Sequence, residues 1–365
     1  MSFVQTAPIG ATAARPALAE RAIGVWLLAL AGMVLVQVML GAITRLTGSG
    51  LSIMEWRPIM GAIPPMNEAE WQRVFGLYQR IAEYKLVNAG MTLEAFKSIF
   101  WWEYVHRLWG RLIGVAFLVP FLWFWLRGHL RRPQMGALGA GRLIALFALG
   151  GLQGLVGWIM VASGFADRTD VSQYRLVLHL LLALAIYAAL LWSALDVLYP
   201  ARVRTEPPIH RVLRRHGWIM MAIITLEIAL GGFVAGLHGG LVYNNFPMMG
   251  DHLIAPDIFS QSPWWSNFFE NPVTAQFMHR LTSGLVAIAL ISLVVRARRA
   301  DLKQDVKRRF YYLPFGLLGQ AMLGIATLML VVPLPLAVAH QAGAFILFTL
   351  GLFALHGLRR ARVNE

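Results

Sequence analysis

Between its clusters of polar residues the chain carries eight long apolar runs, near 22–44, 101–126, 142–163, 175–198, 213–237, 273–295, 310–332 and 335–357. A helix needs roughly 20 apolar residues to cross the hydrocarbon of a bilayer. Each run therefore predicts one transmembrane helix, and the whole pattern predicts an all-α integral membrane protein. The last two runs are parted only by the turn Val332-Pro333-Leu334-Pro335. An even number of crossings puts both chain ends on one side.

The basic residues say which side. Arg127, Arg131, Arg132 and Arg142 flank the second connection, Arg202, Arg204, Arg211, Arg214 and Arg215 the fourth, and seven Lys/Arg fall between Arg296 and Arg309 in the sixth. The connection from Gly239 to Pro272 has no Lys or Arg, and neither has the seventh. Basic residues stay on the cytoplasmic side of a membrane, so the even connections and both termini are expected there. The net charge of +14 in a chain that is 58% hydrophobic and 14% charged is then a topology signal. A nucleic-acid partner, which would need that charge gathered on one surface patch, is set aside. The bilayer is the partner the composition demands.

The first 21 residues have small side chains before the apolar run rather than after it, and no basic start, so they read as a cytoplasmic tail ahead of a retained anchor rather than a secretory signal. A second cytoplasmic tail is expected at 359–365. Two outer connections are long, 45–100 and 238–272. The first carries Trp56, Trp71, Phe75, Tyr78, Tyr84 and Phe96 among charged residues, a pattern suited to short amphipathic helices at the membrane surface. A structured cap and a substrate lid fit it equally well. Trp101-Trp102 and Trp264-Trp265 stand where an interfacial aromatic belt is expected.

The chain repeats itself. Leu40-Gly41-Ala42 followed by Gly48-Ser49-Gly50-Leu51 matches Leu230-Gly231-Gly232 followed by His238-Gly239-Gly240-Leu241. Glu103 to Leu108 matches Gln276 to Leu281, Gln153 and Gly157 match Gln320 and Gly324, and Arg175 to His179 matches Leu336 to His340. The expected architecture is two pseudo-symmetric four-helix bundles, 22–200 and 201–358, running parallel about an axis along the membrane normal.

That repeat places four histidines in matching positions: His106 and His179 in the first half, His279 and His340 in the second. Each is expected in the first turns of a helix entering from the outside, toward the outer leaflet. An ionisable residue within the membrane is a functional candidate by default, and neutral imidazole binds haem iron, zinc or copper alike. No cysteine is present, so disulfides and thiolate sites are excluded. Four residues beyond each histidine stands a small one, Gly110, Ala183, Ser283 and Ala344, which suits a flat macrocycle between helices as well as it suits plain helix packing. One porphyrin per half is the expectation. Arg107 and Arg280 follow two of the histidines, as propionate partners or as snorkelling interfacial arginines. Glu103 precedes His106 by one turn where the second half has Gln276. A carboxylate can take a proton or steady a developing cation and an amide cannot, so the first half is the expected reaction centre, unless Glu103 serves only to pair with Arg107. His129, His210, His216 and His356 are expected to be solvated near the cytoplasmic surface, and His238 and His252 to be solvated in the outer connection.

The stretch Glu103-Tyr104-Val105-His106-Arg107-Leu108-Trp109-Gly110-Arg111 resembles the signature of the haem A synthase family of cytochrome oxidase biogenesis. The likeness extends through Thr44 to Ser52, Gln153 to Gly157, Asn244 to Gly250 and Gln276 to Arg280. The resemblance implies oxidation of the C8 methyl of haem O to the formyl of haem A, with a resident haem b as electron-transferring cofactor. It implies that His279 and His340 ligate haem b iron, that His106 and His179 bind the substrate haem iron, and that Glu103 lies at the reacting methyl, with the cofactor in the second half and the substrate in the first. It further implies a bacterial inner membrane location, and leaves room for haem O synthase, cytochrome oxidase assembly factors or a second copy of the chain as partners. Gram-positive members carry a cysteine pair in the outer loops. This chain has none and has a longer first outer loop, as the alphaproteobacterial and mitochondrial type does. The histidine symmetry alone fits a di-haem electron-transfer cytochrome as well; the Glu103/Gln276 difference speaks against it. A transporter would want broken helices, which the pattern lacks.

Overall fold

Inside hydrocarbon no water receives a backbone N–H or C=O, so an apolar run that crosses it must close its hydrogen bonds within itself. The computed structural model describes residues 18–57, 59–131, 139–165, 169–199 and 208–359. Arg132, Arg202, Arg204, and the tail segments 1–17 and 360–365 lie outside the described residues. The helices are α1 (Leu18–Leu46), α2 (Glu68–Tyr78), α3 (Ala82–Leu86), α4 (Leu93–Leu126), α5 (Ala140–Ala162), α6 (Gln173–Leu198), α7 (Pro208–Gly236), α8 (Asn267–Glu270), α9 (Pro272–Arg299), α10 (Gln304–Tyr311), α11 (Leu313–Met329) and α12 (Leu334–His356). Among the described residues eight spans are long and apolar enough to cross a membrane, with α10 and α11 together forming one of them.

Helix starts follow their caps. Asn271 accepts from the N–H groups of Val273 and Thr274, and Pro272 opens α9 where a missing N–H costs nothing. Thr92 accepts from Ala95 N and starts α4 at Leu93, rather than near 101. His106 consequently lies deep within α4 and not in its first turns. The other three paired histidines do fall about two turns into α6, α9 and α12.

Packing closes two rings of four. In one, α1 packs on α4 and α6, and α5 packs on α4 and α6; in the other, α7 packs on α9 and α12, and α11 on the same two. The rings meet through α1 with α12, α6 with α7, and α6 with α12, an arrangement compatible with two related bundles. Gly24 of α1 admits Leu198, and Gly217 of α7 admits Leu355. Tyr187 and Thr349 join the rings by a 2.6 Å hydrogen bond between α6 and α12.

One expectation about the cytoplasmic end is overturned. His356 is not solvated but 2% exposed. Its Nε2 lies 3.2 Å from Asp196 Oδ1, its ring meets the edge of Trp192, and Arg142 and Arg359 reach the same carboxylate. A buried charge requires partners, and Asp196 at the end of α6 gathers three. In the outer connection His238 is exposed yet engaged, with Nε2 2.8 Å from Asp170 and Arg45 beside both.

The first outer connection folds as a cap. α2 turns Trp71, Phe75 and Tyr78 onto Phe96 and Phe100 of the extended α4, so its apolar face meets protein. Glu83 of α3 is drawn into this core, 5% exposed. Burial first, and then the charges of Asp170 and Glu103, hold its carboxyl up at about 8, against pulls downward from Tyr78 and Arg45. The folded cap thus prefers neutral Glu83, and stability is lost as pH rises from the unfolded value of 4.5 through 8. Glu83→Gln should leave cap proteolysis unchanged near pH 4 and slow it above pH 8, relative to the parent. Equal pH profiles, read by mass spectrometry of tryptic nicks around Arg73 and Arg80, would refute this.

Candidate functional site: two paired-histidine sites

Each of the four histidines leans on a glycine of a neighbouring helix. A Cβ on Gly41 would stand 3.1 Å from the Cε1 of His106, and one on Gly231 would stand 3.2 Å from that of His279. For Gly157 against His179 the distance is 2.8 Å, and for Gly324 against His340 it is 2.7 Å. These are the close approaches that only glycine allows. They come from the facing helix, whereas Gly110, one of the small residues four positions after a histidine, lies against Gln37.

Four residues before each of these glycines, one helical turn away, stands a polar side chain aimed at the same histidine. Gln37 Nε2 donates to His106 O at 3.1 Å, Gln153 Nε2 to His179 O at 3.0 Å, and Gln320 Nε2 to His340 O at 3.0 Å. The fourth position is Glu227, whose Oε1 lies 3.1 Å from His279 Nδ1. Gln37 and Glu227 escaped the sequence reading. Their signal was the spacing they share with Gln153-Gly157 and Gln320-Gly324.

The helices bring His279 and His340 together with ring centroids 6.3 Å apart and planes at 87°. Two imidazole–metal bonds of about 2 Å, each extended by a ring radius, span roughly that distance. His106 of α4 and His179 of α6 belong to the first ring, where α1 and α5 each pack on both helices. Among the described residues no group of three or more His, Cys, Asp or Glu side chains is placed to hold a metal ion. Structural zinc asks for four protein ligands and catalytic zinc for three. Two histidines per half suit a metal that arrives with its own equatorial ligands, as haem iron does. The buried atoms left without partners fit the same group: Nδ1 of His179, His279 and His340, with Oε1 of Gln153 and Gln320 and Oε2 of Glu227 behind them. Holding Nδ1–H against that oxygen would free Nε2 for a metal.

At the outer ends the halves diverge. Glu103 is 2% exposed. Its Oε2 accepts from Ser52 Oγ and Ile53 N, both at 2.7 Å, and its Oε1 from Arg107 Nε at 3.0 Å and Nη2 at 2.5 Å. Four donors thus converge on one carboxylate. Arg107 also donates to Ile53 O at 2.8 Å and so binds the cap to α4. In the second half Gln276 donates to Tyr243 O at 2.9 Å, and Arg280 donates to Met248 O at 2.8 Å and Tyr243 O at 3.1 Å. Neither arginine stands idle at the outer end, though Arg280 keeps a buried Nε without a partner. The cap reaches on over the first site: Tyr104 donates to Ala62 O at 2.6 Å, Arg111 to Arg57 O at 3.0 Å, and Trp56 packs on Trp158 of α5.

Fold and site together define a polytopic helical membrane protein with two matched paired-histidine sites, each with a carboxylate at a different place: Glu103 one turn before His106, and Glu227 behind His279. The family described as cytochrome oxidase assembly protein, COX15-CtaA, matches residues 24–352, and the chain belongs to it. It is similar to a Heme A synthase of Rhodospirillum centenum, 49% identical over 345 residues covering 94% of this chain and 90% of that one. A Heme A synthase of Nitrosospira multiformis is 45% identical over 360 residues, 99% of this chain and 100% of that one. A third, from Parvibaculum lavamentivorans, is 44% identical over 341 residues, 93% and 95% of the two chains.

Proposed function

We propose that the chain is a membrane oxidoreductase that converts haem O to haem A for cytochrome c oxidase, by oxidising the C8 methyl group to a formyl group. The observation that carries the division of labour is the asymmetry at one matched position, where Glu103 with its four donors stands beside His106 and Gln276 stands beside His279. In this reading 22–200 is the substrate half and 201–358 the cofactor half. His106 and His179 hold the haem O iron and so fix where its rim lies. His279 and His340 hold a resident haem b, which supplies one-electron transfer when bound. Glu103, about three turns into α4, steadies positive charge that develops at the methyl carbon or accepts its proton. Arg107 keeps that carboxylate aimed, and the cap residues 53–57 and 59–63 cover it. Arg280 is the cation placed to meet a propionate of the cofactor, through its unpartnered Nε.

In this reading both termini lie in the cytoplasm of a bacterial inner membrane and both sites toward the periplasmic side, a topology that the basic even connections support. Haem O synthase as supplier and oxidase assembly factors as recipients are the partnerships this reading implies.

The test is chromatography and mass spectrometry of the haems extracted from the purified chain after co-expression with haem O synthase. Haem b together with hydroxylated or formylated farnesyl haem is expected. Haem b alone, with haem O accumulating unconverted in the membrane, would overturn the synthase reading in favour of a di-haem electron-transfer cytochrome.

A further inference from the structure

The four supports behind the histidines are three amides and one carboxylate, and the difference is chemical rather than cosmetic. A glutamine amide donates to the histidine backbone carbonyl, as Gln37, Gln153 and Gln320 do. A glutamate side chain has no amide N–H to donate and offers acceptor oxygens instead. Glu227 Oε1 lies 3.1 Å from the imidazole Nδ1 of His279, within ion-pair distance but not aligned as a hydrogen bond, and Nδ1 is itself buried without a partner. The second oxygen of Glu227, Oε2, is also buried without a partner. A buried carboxylate without a cation beside it is costly in an apolar helix, and the other three positions do without one.

The substitution is also reciprocal. In the first half the amide is Gln37 and the carboxylate Glu103; in the second the carboxylate is Glu227 and the amide Gln276. Each half thus owns one carboxylate, at the outer end beside the substrate site in one case and behind a ligand in the other.

We infer that Glu227 is a positioning residue for the cofactor: it accepts the Nδ1–H of His279, fixes the ring with Nε2 free for iron, and makes that imidazole a stronger electron donor than its three amide-backed counterparts. Hydrogen bonding behind an axial ligand is one of the levers by which a protein sets a haem potential. A stronger donor favours the oxidised iron, so Glu227 lowers the potential of the resident haem relative to a site backed by glutamine.

The inference rests on the proposed haem b site, and the experiment separates the two. The purified full-length protein with its bound haem is titrated potentiometrically on the low-spin absorption band, as parent, as Glu227→Gln and as Gln320→Glu. Glu227→Gln should keep the low-spin band and raise the midpoint potential, and Glu227→Asp should restore part of the shift. Gln320→Glu, which puts a carboxylate behind His340, should lower it. A potential unmoved in Glu227→Gln with the band intact overturns the role of Glu227 and leaves the ligand assignment standing. If Glu227→Gln fails to retain haem, Gln320→Glu decides: a lowered potential supports the inference, and an unchanged one overturns it. The absence of any low-spin haem in the parent would instead sink the underlying site.

Discussion

Glu103→Gln should abolish the formation of haem A, by roughly 100-fold or more if the carboxylate takes a proton in the rate-limiting step, while the protein still folds and retains its resident haem. The substitution is modest in shape, since the second half carries Gln276 at the same place. It removes the negative charge that faces Arg107 at 2.5 Å and turns one oxygen that accepts from Ser52 or Ile53 into a donor. Leaving a buried cation unpaired is destabilising by about 3–5 kcal/mol, discounted here because Arg107 is 19% exposed and also bonded to the loop carbonyls of Ile53 and Glu55. A lower melting temperature and a looser cap are therefore expected beside the lost activity. The discriminating measurement is the haem content: unreacted haem O accumulating on a protein whose resident-haem spectrum is unchanged. Full conversion by the variant would move the reaction centre elsewhere.

Much of this arrangement was legible in the sequence because a bilayer leaves a chain few options. A run such as 175–198 has to be a helix, and α6 is observed at Gln173–Leu198. The repeat aligned the histidines before any coordinates could. Glu103 stood out because its counterpart, Gln276, differs in charge and in little else.

What escaped was contact between helices. Gln37 and Glu227 are single polar residues in long apolar helices, and nothing in a one-dimensional pattern says which neighbour they face. The glycines were visible as repeated letters, but their purpose, room for an imidazole from the next helix, is a property of packing. The small residues after each histidine drew attention to the same helix when the close approach lay on its partner. The length of α4 was missed because Leu93 to Phe100 is stabilised by the aromatic core of the cap, and not by lipid. His356 was misjudged because Asp196 lies far from it in sequence and 3.2 Å from it in space.

The two tightest of those glycines separate the halves in a single experiment. Gly324→Ala would place a methyl 2.7 Å from His340 Cε1, and Gly157→Ala would place one 2.8 Å from His179 Cε1. Both distances lie inside van der Waals contact, so each ring must shift or its helix must move. Overpacking of this kind costs about 1–3 kcal/mol, and a metal ligand displaced from its geometry loses affinity roughly 10- to 100-fold. Gly324→Ala should therefore deplete the low-spin haem of the purified protein. Gly157→Ala should keep that haem and lose haem A production, because on the proposed division of roles the displaced histidine belongs to the substrate half. The pair is informative because the two substitutions are the same change, one methyl at equivalent places of matched bundles. A general folding defect would lower both readouts in both variants. Loss of the resident haem in Gly157→Ala, with retention in Gly324→Ala, would mean that the roles of the two halves are reversed.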